Sequence, residues 1–336
     1  MSKYKHLTAS ALIAGVVAIA STSVTAADKK IISMSTIAPG TSANLTMTSF
    51  ANIVNKALGD IEIQVDSTGA AAKHMVEAGR GKTDLILTAP QLYRWMSAGK
   101  VMYKKLKEAP KLAKNIRLVL WFPWGPAHVT TYADSGIKTL DDLRGKKVFI
   151  GPPGGGAYAS TRSLIKVATG MDANKEYNAV RASWGSGWQA FTDKQIDAYV
   201  SGCLQPCSQY QQLTLTNKVR FLGVTKAEAE AGKIDKVYKG IPGRYLGKIE
   251  KGTYGKSQVN ETDVYTLGVT VGIATHAGVS EDAMYKITKA FWKNLPAVQK
   301  EAPWMKHINI KDATKGAGLS FHKGAERYYK EIGLLK

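Results

Sequence analysis

The sequence predicts an α/β fold of two similar lobes, each with a mostly parallel sheet flanked by helices. Short apolar runs alternate with helical patterns, and turns rich in glycine or proline separate them. The alternation occurs in the first part of the chain and again after its middle. With 336 residues, of which 44% are hydrophobic, the chain is long enough for two globular domains with full cores. Such alternation is typical of parallel strands covered by helices on both faces.

The first lobe opens with repeated units of strand, turn and helix. The predicted strands cover residues 30–34, 61–65 and 84–87, and the predicted helices cover residues 45–58 and 70–78. The turns between them are rich in serine, threonine, glycine and proline, and the third strand ends at Pro90. We expect the carboxyl ends of these strands to point to one edge of the sheet, where α/β proteins bind ligands.

The second lobe repeats this plan. A strand at residues 147–150, a glycine turn at residues 151–156 and a helix at residues 157–168 follow one another. Extended runs at residues 121–124 and 265–275 are long enough to cross between two sheets, and they predict a hinge of two crossing strands. Helical patterns at residues 281–295 and 325–331 return the chain to the first lobe. We therefore expect lobe 1 to comprise residues 27–124 plus 266–336, and lobe 2 to comprise residues 125–265.

The first 26 residues have the three regions of a secretory signal peptide. Two lysines precede an apolar run at residues 7–20, and Val24-Thr25-Ala26 has small residues where a signal peptidase cleaves. We expect cleavage after Ala26, with Ala27 as the alternative site. The apolar run is shorter than the ~20 residues of a membrane-spanning helix, and no later run reaches that length. The sequence therefore predicts a soluble periplasmic protein, with a single-pass anchor as the alternative.

The chain is strongly basic, with a formal charge of +20. Cleavage after Ala26 leaves 44 basic and 26 acidic residues, a formal charge of +18. The basic residues are scattered, as on solvated helix faces, and aromatic residues do not alternate with them as in RNA-binding motifs. Export also argues against nucleic acid as a partner. We expect the positive field to keep the protein soluble and to attract small anions.

Residues 151–156 form the most informative turn of the sequence. Gly151-Pro152-Pro153-Gly154-Gly155-Gly156 follows a strand and opens a helix, so that several backbone N–H groups point to one place at the positive end of the helix dipole. That geometry binds an anion. The turn is neither a P-loop nor a dinucleotide-binding fingerprint, because the required lysine and glycine spacing are absent. A flexible surface turn is the alternative.

This turn, together with residues 139–148, residues 196–198 and the tail at residues 322–333, resembles the TAXI family. Members of this family are exported solute-binding subunits of TRAP transporters. The resemblance implies a type II periplasmic binding protein with a ligand in the cleft between its lobes. It also implies a partner, a membrane permease driven by an ion gradient, and glutamate-like or oxo-acid ligands.

Three features depart from the family pattern. The family usually has a Gly-rich first loop followed by a Tyr-containing helix start, whereas this chain has Thr36-Ile37-Ala38-Pro39-Gly40-Thr41-Ser42-Ala43. Gly155 and Ala157 stand where the family usually has Ser and Thr, and Lys323 stands where a Pro is usual. The chain therefore lacks two hydroxyl donors, and aromatic residues are the expected replacement. Trp184 and Trp188 fall in a predicted turn with neighbouring glycines, where we expect them to cover a ligand. Core packing is the alternative for each aromatic residue taken singly.

The candidate ligand-binding residues lie at strand ends, helix starts and crossings. They are Thr36, Ala38, Asn44, Gly69, Ala70, Pro90, Gln91, Tyr93, Trp121, Gly154, Gly155, Gly156, Ala157, Tyr158, Trp184 and Trp188. Asn44 and Gln91 would orient the ligand or cap a helix. Arg94, Arg162 and Arg181 would pair with a carboxylate or lie at the surface.

The sequence gives little support for an enzyme. Five histidines after the signal segment sit singly, without metal-ligand spacing, and no nucleophile motif accompanies them. We expect no catalytic residue, no metal and no cofactor. The lead interpretation is a monomeric receptor that delivers a small organic anion to a permease. A ligand-sensing subunit for a membrane kinase and an exported enzyme that uses the same cleft remain alternatives.

Cys203 and Cys207 are the two cysteines of the chain. On a regular helix their Cβ atoms would lie ~5–6 Å apart, beyond the ~3.8 Å that a disulfide prefers. Gly202 and Pro206 favour a turn instead. In an oxidising compartment we therefore predict a structural disulfide, with two buried thiols as the alternative.

Overall fold

The computed structural model describes residues 29–315 and 318–336. The strands are β1 (Lys30–Ser35), β2 (Ile61–Asp66), β3 (Leu85–Thr88), β4 (Ile116–Tyr132), β5 (Lys147–Phe149), β6 (Asn178–Ala179), β7 (Ala198–Gly202), β8 (Val219–Leu222), β9 (Arg244–Ile249) and β10 (Val264–His276). The helices are α1 (Ser42–Ala57), α2 (Ala71–Gly79), α3 (Pro90–Ser97), α4 (Ala109–Ala113), α5 (Gly156–Thr169), α6 (Trp184–Thr192), α7 (Ser208–Thr216), α8 (Lys226–Glu230), α9 (Glu281–Glu301), α10 (Ile310–Ala313) and α11 (Lys323–Glu331). The predicted signal peptide and its cleavage site lie outside the described residues.

The strands form a continuous sheet in the order β2-β1-β3-β10-β4-β7-β5-β6, with β8 also paired to β4 and β9 to β10. At one end, β1 is parallel to both of its neighbours, β2 and β3. At the other end, β5 is parallel to both β6 and β7. These two parallel groups confirm the predicted α/β fold with helices flanking mostly parallel strands.

Two long strands join the parallel groups. The first half of β4 pairs with β10, and its second half pairs with β7 and β8. Likewise, the first half of β10 pairs with β9 and its second half pairs with β3 and β4. The predicted crossings at residues 121–124 and 265–275 lie inside these strands, which confirms the crossing-strand architecture.

The helices that follow β10 pack on the first parallel group. The ring centroids of Phe50 in α1 and Phe291 in α9 lie 4.7 Å apart. The hydroxyl of Tyr329 in α11 donates to the Val119 carbonyl of β4 at 2.9 Å and accepts from the Trp292 indole at 3.0 Å. Around β5, α5 and β8, a second apolar cluster contains the buried residues Val148, Leu164 and Leu222. The C-terminal helices thus return to the first group of strands.

Residues 184–188 differ from the prediction, because they form the start of α6 rather than a turn. The Ser183 side chain caps this helix by accepting from the Ser186 N–H at 3.1 Å. A Cβ at Gly187 would lie 2.7 Å from the Phe149 ring. The glycine therefore lets the helix approach β5 closely, and it does not indicate a turn. The two-residue strand β6 precedes this helix.

The predicted disulfide is present. Cys203 and Cys207 are bonded in the segment between β7 and α7, with their Cα atoms 5.9 Å apart. Both residues are buried. Within residues 29–315 and 318–336, no helix has the length and apolar character needed to cross a bilayer.

Candidate ligand-binding cavity

A cavity that opens to solvent lies where the crossing strands meet the starts of several helices. Trp124 of β4 and residues 269–271 of β10 contribute to its wall, as do the first residues of α2, α3, α5 and α6. Residues 242–244, at the entry to β9, close another side. A mostly apolar wall with a few polar groups is typical of a site for a small organic molecule.

Three helices direct their N-terminal ends toward this cavity. The N-cap residues of α2, α3 and α5 are Ala70, Ala89 and Gly155, and none of them makes a side-chain capping bond. Their φ and ψ angles are nevertheless those of ordinary N-cap residues. The first residues of all three helices line the cavity.

The first-turn N–H groups of these helices have no side-chain acceptor among the described residues. In α3 the first helical residue is Pro90, which has no N–H, so Gln91 and Leu92 carry the first donors. In α5 the donors begin at Gly156 and Ala157. Each helix end adds a partial positive charge equivalent to roughly half an elementary charge. Converging on one cavity, they favour a negative ligand group.

A guanidinium group lies in the same wall. Arg244, the first residue of β9, donates from Nη2 to the Ser160 Oγ at 2.9 Å and from Nη1 to the Val237 carbonyl at 2.9 Å. Both Arg244 and Ser160 line the cavity. Burial lowers the pKa of the Arg244 guanidinium, which still stays protonated at neutral pH. These two bonds fix the cation in place.

Most of the remaining wall is apolar. The rings of Trp124 and Trp184 meet edge to face with their centroids 5.8 Å apart. The buried indole N–H of Trp124 has no acceptor in the described part of the chain. Beyond Trp124 lies a small side cavity, lined in part by Ala127, Val200 and Leu267. The site therefore combines one strongly positive region with extended apolar surface.

The structure brings part of the predicted site together. The predicted residues that line the cavity are Ala70, Pro90, Gln91, Gly155, Gly156, Ala157 and Trp184. The predicted residues outside its lining are Thr36, Ala38, Asn44, Gly69, Tyr93, Trp121, Gly154, Tyr158 and Trp188. The glycine turn thus faces the cavity through Pro152 and the start of α5.

Several predicted residues outside the lining have structural contacts. The Asn44 side-chain amide donates to the Ile37 carbonyl at 3.1 Å and to Ser67 Oγ at 2.8 Å, which ties two loops together. Trp188 packs against Tyr199 and Tyr210, with ring centroids 5.1 Å and 5.9 Å away. Trp121 is buried, with 1% of its surface exposed.

The arginines singled out in the sequence do not line the cavity either. Arg94, Arg162 and Arg181 are exposed at the surface. No pattern in the sequence pointed to Arg244 or Ser160, and none distinguished Trp124 from Trp121. The one local signal at Arg244 is the preceding Pro242-Gly243 turn. A Cβ at Gly243 would lie 2.5 Å from the Pro90 side chain, so the glycine lets this turn pack against the start of α3.

The buried histidines have structural roles. The Nδ1 of His128 donates to the Pro126 carbonyl at 2.9 Å, and its Nε2 accepts from the Tyr254 hydroxyl at 2.9 Å. Burial lowers the pKa of His128 to about 4, so the ring is neutral at physiological pH. Neither His128 nor His74 nor His322 lines the cavity. Within the described ranges, no group of three or more histidine, cysteine or acidic side chains could hold a metal ion.

The crossing-strand fold with a ligand-sized cavity at its centre is that of the type II periplasmic solute-binding proteins. The alkanesulfonate-binding protein SsuA from Xanthomonas axonopodis pv. citri, bound to MOPS, is similar, with a TM-score of 0.50 and 14% identity over 84% of this chain and 79% of that chain. A second solved structure, described as a periplasmic transporter, has a TM-score of 0.53 and 19% identity over 90% of this chain and 92% of that chain. The model of the NMT1-like family matches residues 15–333, and the chain belongs to this family.

Proposed function

We propose that this protein is an exported receptor that binds a small organic anion in the cavity and delivers it to a TRAP-type secondary transporter. One observation carries the proposal: three helices without side-chain caps begin at the wall of one cavity. Their free N–H groups and dipoles favour an anion. The cavity wall also holds the Arg244 cation. The alkanesulfonate bound by one structural relative is likewise an organic anion.

The transporter and the cellular location rest on the sequence. The resemblance of residues 139–148 and 322–333 to the TAXI family supports a TRAP permease as the partner. The signal-like residues 1–26 support export to the periplasm. A positive formal charge would draw anionic solutes toward the protein, with a strength that falls as salt rises.

The proposed mechanism follows from the lobe to which each cavity residue belongs. Ala70 and Pro90 belong to proposed lobe 1, residues 27–124 plus 266–336, whereas Gly155, Trp184 and Arg244 belong to proposed lobe 2, residues 125–265. A ligand that touches both sets favours the closed arrangement by its differential affinity for it. The two crossing strands join the lobes and would act as the hinge. Closure would then present a loaded receptor to the permease.

Native mass spectrometry of protein purified without refolding tests this function. We expect a complex that carries one small acid, which is released on denaturation and identified by its mass in negative-ion mode. The Gly155→Asp variant should carry much less of it. A neutral or cationic molecule retained in the cavity would contradict the proposal. Loss of uptake of that acid in cells lacking the protein would test the transport role.

A further inference from the structure

The wall of the cavity, as far as the structure describes it, contains a positively charged side chain and no negatively charged one. Among the described residues that form its wall, Arg244 is the only charged side chain, and no carboxylate is present. The side cavity beyond Trp124 is lined by uncharged residues. We propose that Arg244 and the open helix ends bind the negative group of an apolar monoanion, and that the cavity rejects zwitterions such as amino acids. This inference rests on the proposed function and narrows its substrate class.

Arg244 has donors available for a ligand. A guanidinium carries five N–H donors, and the bonds to Ser160 and Val237 occupy two of them. A carboxylate can therefore take two parallel bonds from the guanidinium, a geometry that only arginine offers. The Ser160 hydroxyl accepts from Arg244, so its own proton is free to donate to the ligand.

The same wall disfavours an ammonium group. An α-amino acid buries a positive charge next to its carboxylate, and that charge needs an acidic or several neutral acceptors. The cavity wall formed by the described residues contains neutral acceptors such as Gln91 and Thr88 but no carboxylate, and the Arg244 cation and the helix N-termini repel an ammonium group. The amino acid should therefore bind at least ~10-fold more weakly than the same acid without the amino group. This factor corresponds to the free energy of one charge-assisted hydrogen bond, which the ammonium group makes in water and loses in the cavity.

The apolar surface selects the rest of the ligand. Trp124 and Trp184 present aromatic edges and faces, and Leu87 and Val271 add aliphatic wall. A second carboxylate placed against this apolar surface would be buried without a second cation, which is unfavourable. The fitting class is therefore a monoanion with an aromatic or alkyl body.

Matched ligand pairs test the selectivity on the wild-type mature protein. Isothermal titration calorimetry would compare 3-phenylpropionate with phenylalanine, which differ only in the α-ammonium group, and hexanoate with norleucine for an alkyl body. The neutral 3-phenylpropanol tests the need for the charge. We expect at least one of the two acids to bind, its amino acid partner to bind at least ~10-fold more weakly, and the alcohol to bind weakly or not at all.

Two variants test the role of Arg244. Arg244→Gln should weaken binding of the acid by ~10-fold to ~150-fold, the range of a hydrogen bond to a charged group. Arg162→Gln removes the same charge from an exposed site on α5 and should leave affinity unchanged. Arg244→Lys retains the charge without the planar fork, and should bind with intermediate affinity. Circular dichroism checks that each variant is folded.

The outcomes separate this inference from the proposed function. Preferential binding of phenylalanine or norleucine overturns the selectivity while leaving an organic-anion receptor in place. Equal affinities of the Arg244→Gln and wild-type proteins overturn the assignment of Arg244. Failure of the folded wild-type protein to bind either acid, together with retention of a neutral molecule in the mass spectrum, overturns both the selectivity and the proposed function.

Discussion

The helices of this protein begin in two different ways. At α1, α6, α8, α9, α10 and α11 a side chain at the N-cap accepts a backbone N–H. At α2, α3 and α5 the N-cap is Ala or Gly and makes no such bond, and these three helices begin at the cavity. The short α4 and the disulfide-linked start of α7 also lack side-chain caps, away from the cavity.

Under the proposed function, the uncapped helix starts are positions where helix stability is given up for ligand binding. A capping Ser, Thr, Asp or Asn stabilises a helix by about 0.5–2 kcal/mol relative to Ala. Among the described helices, six starts have a side-chain cap, and three of the four helices that begin at the cavity lack it. The N–H groups that a cap would satisfy are thus left for a ligand. Function and stability compete at these positions, and substitutions can shift the balance either way.

The helix α6 borders the cavity although its N-terminus is capped. A substitution in this helix, Trp188→Ala, is expected to have the largest effect. Trp184 at its start lines the cavity, whereas Trp188, one turn later, packs on Tyr199 and Tyr210. Trp188→Ala should lower the free energy of unfolding by about 3 kcal/mol, because it removes a large side chain from an aromatic cluster. Urea unfolding measures this loss.

Ligand affinity of the same variant decides between the two roles of Trp188. If Trp188 only packs, the folded variant should keep the wild-type affinity for the bound acid. A loss of affinity would instead support the sequence-based expectation that Trp188 covers the ligand. Trp188→Phe preserves most of the packing. It is the matched control for a loss of affinity that is caused by disturbed packing instead of a lost contact with the ligand.

Capping an open helix end should weaken binding directly. Gly155→Asp places a carboxylate at the start of α5, where it accepts the free N–H groups and repels an anion. Losing one or two charge-assisted bonds should lower affinity by ~10-fold to several hundred-fold. Gly155→Ala is the control, because it adds the same Cβ, 3.0 Å from the Pro152 carbonyl oxygen, without the acceptor. Unchanged affinity in a folded Gly155→Asp protein would mean that α5 does not hold the anion.

Ala70→Asp should change stability and affinity in opposite directions. The backbone at Ala70 already has the N-cap conformation, with φ of −134° and ψ of 141°. The new cap should therefore raise the free energy of unfolding by about 1 kcal/mol, while affinity falls by ~10-fold. Ala70→Asn caps without a charge and should give the same stabilisation with a smaller loss of affinity. A protein that is stabilised but binds as the wild type does would remove α2 from the site.

How much of the fold and of the candidate site can be predicted from the sequence depends on how far apart in the chain the interacting residues lie. The strands β1, β2, β3 and β5, the two crossing strands and the helices α1, α2, α5, α9 and α11 follow from local apolar patterns, so the sequence was sufficient for the fold class. Trp121 and Trp124 are three residues apart in one strand, so their side chains lie on opposite faces. The face toward the cavity is set by neighbours that the pattern does not show. Arg244 reaches the cavity because β9 pairs with β10, which places Arg244 beside Val269.

A substitution at a capped helix remote from the cavity serves as the control for the substitutions above. Its expected effect on the protein is the smallest. The Thr225 side chain accepts from the Glu228 N–H at 3.2 Å, and the Glu228 carboxylate accepts from the Thr225 N–H at 2.8 Å. Thr225→Ala breaks this reciprocal cap at α8 and should lower the free energy of unfolding by about 1 kcal/mol. Its affinity for the bound acid should stay unchanged, because α8 does not border the cavity. If Thr225→Ala altered affinity as much as Ala70→Asp, the effects of capping would be general effects of stability on binding, and the contrast between open and capped helix starts would carry no functional meaning.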